Sequence, residues 1–128
     1  MAEEATRHVT AIEVAVAGLS DKELWNAIAL FTESVGQLKA AMLAEPDYYK
    51  RAKRHLGQIL IATEQMAKHF ARHQAATPDS ATRQQFLELV AELTEAFNRA
   101  ATQYAKSGAA ELQVEAETLK ELLRRNRL

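Results

Sequence analysis

The residues of this chain that could do chemistry begin with four histidines, His8, His55, His69 and His73. His69 and His73 stand four residues apart, one turn on one helix face, which is the spacing of a metal pair. His55 falls on the same flank but about 21 to 27 Å away along a helix axis at 1.5 Å per residue, outside any shared coordination sphere. Glu64 and Gln65 are the nearest further candidates, and Gln65 is a weak ligand. Two readings compete. Another helix completes a two-histidine metal site, which would make a metal-dependent phosphoester hydrolase. Or both rings are solvated near a helix C-terminus, where imidazolium suits the dipole.

A second constellation is cationic. Lys50, Arg51, Lys53 and Arg54 cluster beside Tyr48 and Tyr49, and Lys68 and Arg72 extend the run with only Glu64 opposing. Glu88, Glu92 and Glu95 then share one side of a later segment. The basic cluster fits an anionic partner, an anionic membrane surface or phosphate. It equally fits loose pairing with the acidic segment of the same chain, or plain solvation. Trp25, Tyr48 and Tyr104 are candidate interface anchors, since aromatic residues are enriched at interfaces.

Other chemistries lack their signatures. No Glu-x-x-His pair suits a di-iron bundle. No H-E-x-x-H, G-x-x-x-x-G-K-[ST] or G-x-G-x-x-G occurs, and no serine lies in G-x-S-x-G. There is no cysteine, hence no disulfide framework and no thiolate ligand. No catalytic residue and no cofactor is assigned.

These side chains must be positioned by helices. The 128 residues make one domain, with 48% hydrophobic residues, only 4 Gly and 2 Pro. Ser20-Asp21-Lys22-Glu23 has capping-box spacing with Ser20 as the cap, and Leu24, Ile28, Phe31, Val35, Leu38 and Met42 then step by three and four. Pro46 breaks the chain, and a second apolar face runs through Tyr49, Ala52, Leu56, Ile59, Leu60, Thr63, Met66, Ala67 and Phe70. Thr77-Pro78-Asp79 starts a third helix, with Thr77 as cap, carrying Phe86, Leu89, Val90, Leu93, Phe97, Ala100 and Tyr104 to a stop at Ser107-Gly108. Leu112, Ala116, Leu119, Leu122 and Leu123 mark a fourth. Val9, Ile12, Val16 and Leu19 fit a short helix better than an unpartnered strand.

The expected fold is therefore all-α. It is an antiparallel bundle of four main helices over 20–128, preceded by a short N-terminal segment over 1–19 that reads as helical. No internal repeat is evident. If Pro46 makes a hairpin, Gly36 and Gly57 lie at one level, roughly 15 Å from the turn. They then either permit close helix approach or are tolerated surface glycines.

Sixteen basic against seventeen acidic residues give a formal charge of −1, which disfavours general nucleic-acid binding. No apolar stretch approaches the roughly 20 residues of a membrane span. No leader pattern follows Met1, so the cytoplasm is the expected compartment.

The order of several features resembles the 5-bromo-4-chloroindolyl phosphate hydrolysis protein family. These are Glu45-Pro46, Arg54-His55-Leu56-Gly57-Gln58-Ile59-Leu60, Glu95-Ala96-Phe97, and Glu115-Ala116-Glu117-Thr118-Leu119-Lys120-Glu121-Leu122-Leu123 with Leu128, spanning about residues 24–128. The chain departs from that family in placing Tyr48-Tyr49 early and in lacking N-terminal membrane segments. The family's name implies a phosphatase, but no phosphoryl-transfer site is present here to carry that over. The family's association with toxic-anion resistance proteins implies a helical adaptor. The expectation is a non-enzymatic interaction protein in a toxic-anion or stress response, with a protein partner and, because heptad-like seams serve core or interface, scope for a homodimer. The rivals are the His69–His73 hydrolase and a peripheral anion or membrane binder using Lys50, Arg51, Lys53 and Arg54.

Overall fold

Apolar spacing and three short breaks determine the architecture of the computed structural model, which describes residues 2–44, 46–107, 120, 121, 123 and 124. Among these the chain is all-α, an assembly of α1 (Ala2–Ala17), α2 (Lys22–Leu43), α3 (Pro46–Ala76) and α4 (Ser80–Ser107). The first segment is helical. Its Ala5, Val9, Ile12 and Val16 are buried in the same core as residues from the other helices. The six seam residues of α2 are all buried, as are the expected faces of α3 and α4 wherever their side chains are described, with Tyr49 partly so. Most of the expected C-terminal helix lies outside the described residues. Residues 120, 121, 123 and 124 are helical, and Leu123 packs against the core.

Two start signals differ from expectation. Asp21, not Ser20, caps α2, its carboxylate accepting from the Leu24 N–H at 3.3 Å. Ser20 takes a left-handed backbone conformation, φ 53°, in the turn before it. Asp79, not Thr77, serves α4. It accepts from the Ala81 N–H at 3.3 Å and the Thr82 hydroxyl at 2.5 Å, while its carbonyl receives the Arg83 N–H. In both turns a carboxylate supersedes the hydroxyl upstream, because a full negative charge at a helix start interacts more strongly with the free N–H groups and the dipole.

Lys39 near the end of α2 meets Thr6 near the start of α1, and α1 runs parallel to α3, so α2 and α3 run in opposite directions and Pro46 marks a hairpin and not a kink. The closest packing, however, joins parallel helices: α1 with α3 and α2 with α4. His8 meets Glu64 midway along the first pair, while Ala15 and Leu19 share a hollow with Ala71 and Ala75 near its C-terminal end. Asp21 meets Arg83 at the start of the second pair, and Phe31 packs on Phe97 further along, ring centroids 5.7 Å apart. The two hairpins are thus laid side by side in the same sense. Among the described residues α3 and α4 do not pack along their length. They meet near their connecting turn, where Phe70 and Phe86 stack at 4.1 Å.

Some buried positions of the first hairpin recur at a fixed offset in the second, although Val16, Leu24 and Ser34 have no buried counterpart there. Ala5, Val9, Ile12, Ile28, Phe31, Val35, Leu38 and Met42 are buried, and so are Thr63, Ala67, Phe70, Phe86, Leu89, Leu93, Ala96 and Ala100, each 58 positions later. The buried hydroxyls are satisfied locally, Ser34 donating to the Phe31 carbonyl at 2.7 Å and Thr63 to the Ile59 carbonyl at 2.8 Å.

Gly36 and Gly57 do not mediate close approach. A Cβ at either would meet no atom within 4 Å, so both face open space.

Candidate functional site

The parallel α1–α3 pair creates the feature most suited to binding. Ala5 on α1 and Gly57 on α3 are too small to close the seam, and a cleft of about 380 Å³ remains. Its floor is apolar, built from Leu56, Leu60 and Ile61 around Gly57, with Tyr49 at one end. Among the described residues its rim carries Lys53, Arg54 and Gln58 from α3, Lys39 from α2, His8 from α1, and one acid, Glu4, and Gln58 Oε1 accepts from Lys120 Nζ at 3.0 Å. A small apolar cavity with a few charged groups at its edge is the usual form of a ligand site.

Lys39 Nζ is held against α1 by donating to Thr6 Oγ1 at 3.1 Å. Deeper along the seam, His8 Nδ1 donates to Glu64 Oε1 at 2.7 Å, and Lys68 Nζ donates to Glu64 Oε2 at 2.8 Å. Lys68 first, then His8, holds the Glu64 carboxyl below its ordinary range, although partial burial opposes them. Glu64 is therefore occupied as a clamp between α1 and α3.

The basic cluster is divided by the fold. Lys53 and Arg54 line the cleft, whereas Lys50 is exposed outside it and the side chains of Arg51 and Tyr48 lie outside the described residues. Sequence reasoning missed Lys39 and His8 as members of the rim. Their membership follows from the α1–α3 pairing, and no local spacing announces it. Pairing of the basic cluster with the acidic helix is not the main arrangement of that helix: Glu88 accepts from Gln84 and Glu95 pairs with Arg99, both on α4.

His69 and His73 are both exposed near the C-terminal end of α3. Among the described residues no three histidine or carboxylate side chains gather as a metal site, and Glu64, the nearest expected third ligand, is engaged by His8 and Lys68. His55 sits two and a half turns before Glu64, on the opposite side of the helix, with its Nδ1 buried and unpartnered. Of the candidate anchors with described side chains, Trp25 is exposed on α2 and away from the cleft. No described helix is long and apolar enough to cross a membrane.

At the far end of the molecule Arg83 joins the two hairpin turns. Its Nε and Nη2 donate to the two Asp21 carboxylate oxygens at 2.8 and 3.1 Å, and Nη2 also reaches Glu23 at 2.7 Å. The Arg83 hydrogen bond pulls the Asp21 carboxyl below its ordinary range. This contact fixes register and lies away from the cleft.

Comparison of the chain with family models, with curated proteins and with solved structures finds no match.

Proposed function

We propose that this chain is a non-enzymatic helical interaction module whose recognition surface is the α1–α3 seam and whose partner presents negative charge next to apolar groups. The observation that carries this reading is the cleft itself: an apolar floor left open by Ala5 and Gly57, edged by Lys39, Lys53 and Arg54. Such a site offers desolvated contact area at its centre and steering charge at its rim. The near-zero net charge of the chain makes the local concentration of cations at this seam a matter of placement, not of composition. The family resemblance in the sequence favours a partner among toxic-anion resistance proteins.

The test is a quantitative pull-down from host lysate with wild type and Gly57→Phe side by side, at low and moderate salt. Gly57→Phe places a ring in the cleft from a Cβ position that meets no neighbouring atom. A stoichiometric partner retained by wild type and lost by the variant supports the module reading. Equal recovery by both proteins would move the recognition surface elsewhere.

A further inference from the structure

We infer that His69 and His73 form a two-imidazole chelate for a divalent transition-metal ion of the zinc or copper kind, a site separate from the α1–α3 cleft and independent of the interaction-module reading above. Both residues belong to α3, and both are exposed. The Thr77 N–H donates to the His73 carbonyl at 2.8 Å, so the backbone keeps helical geometry through the pair. Residues four apart on a helix stand one above the other with Cβ atoms about 5–6 Å apart. That spacing lets two imidazoles reach one ion at about 2.0–2.1 Å each, as the paired histidines of helical zinc sites do.

The pair is available for this chemistry where the other histidines are not. Among the described residues neither ring has a hydrogen-bond partner. His8 is committed to Glu64, and His55 has a buried Nδ1 and lies about 21 Å from His69 along the helix. The surrounding charge also admits a cation. Lys68 and Arg72, the basic residues nearest in sequence, both line the hollow on the α1 side with Ala15 and Leu19, and each next position is about 100° further round the helix. Asp79, the nearest acid in sequence, interacts with the His73 charge across the turn. Its carboxylate is taken by the Ala81 N–H and the Thr82 hydroxyl, so it contributes field and not a ligand. Imidazole suits zinc and copper, whereas calcium and magnesium take oxygen ligands. Among the described residues no third histidine or carboxylate joins the two rings. Zinc sites of structural or catalytic type use three or four protein ligands, so this ion keeps open positions and exchanges with solvent.

The experiment titrates the full chain, purified without a polyhistidine tag and stripped with EDTA, with zinc chloride and copper chloride by isothermal titration calorimetry. The expected result is one ion per chain, with His69→Ala and His73→Ala each weakening binding by about tenfold or more, because either change turns a chelate into a single ligand. One ion per two chains, with a dimer in sedimentation, supports the site equally, the second copy's pair filling the open positions. The double variant His73→Ala with Ala75→His keeps four histidines but carries the second ring to another side of the helix, and it should bind no better than His73→Ala. Because the two rings converge only when α3 is helical, zinc should also raise the urea midpoint of wild type and not of the two single variants. All three positions are exposed, so the variants retain the core. No binding of either ion, undiminished binding by both single variants, wild-type binding by the double variant, or a urea midpoint indifferent to zinc overturns the inference.

Discussion

His8 on α1 and Glu64 on α3 are 56 residues apart in the chain and joined by a 2.7 Å hydrogen bond. Glu64 is the hinge of that contact, since its second oxygen is taken by Lys68. The Glu64 pKa is lowered in the folded protein, so its contribution to stability is present above the ordinary carboxylate value and is lost as pH falls through the depressed one. Glu64→Gln should cost about 1 kcal/mol at neutral pH and progressively less below pH 4. Urea midpoints of both proteins measured across that window check it; a constant difference down to strongly acidic pH would refute the clamp.

Asp21 has two roles that substitution separates. It caps α2 through the Leu24 N–H and it binds Arg83 from α4. Asp21→Asn retains a capping oxygen and loses the charge, whereas Asp21→Ala loses both. Asp21→Ala should destabilise by about 1 kcal/mol or more, with Asp21→Asn between it and wild type. Thermal denaturation of the three proteins in low and high salt reads the two components, since salt should narrow the gap between wild type and Asn but not that between Asn and Ala.

Gly36 lies in the interior of α2 with open space where a Cβ would stand. Gly36→Ala should therefore raise stability by about 0.5–1 kcal/mol through lost freedom in the unfolded chain. A destabilised variant in chemical denaturation would reinstate a packing role for this glycine.

Phe70 and Phe86 carry the α3–α4 contact near the turn, both fully buried. Because those helices do not otherwise pack along their length among the described residues, little else can close around a missing ring. Phe70→Ala should cost about 3–5 kcal/mol, measured by urea denaturation, and loss well below 2 kcal/mol would mean that the cavity collapses.

Much of the fold was legible in the sequence because helix faces are written in spacing. Leu24, Ile28, Phe31, Val35, Leu38 and Met42 announce a buried stripe, and burial follows. What spacing cannot encode is which stripe meets which. Antiparallel neighbours were expected from short connections, yet α1 pairs most closely with α3 and α2 with α4. The cap assignments failed more narrowly, because Ser20 and Thr77 carry good capping chemistry one or two positions before the aspartates that do the capping. As for the cleft, Lys53 and Arg54 were visible as part of a basic cluster. Lys39 and His8 were not, since they reach it only through tertiary pairing.

The side-by-side placement of the hairpins also dictates an order of assembly. A chain emerging from synthesis completes α1 and α2 before α3 exists, and α1 then lacks the helix on which it packs most closely. Pairing across 56 to 62 residues requires closure of a long loop before it returns any free energy, which slows folding relative to hairpin-by-hairpin assembly. The first 44 residues alone should therefore remain largely unstructured, and the binding seam should come into being in the same cooperative step that docks the second hairpin on the first.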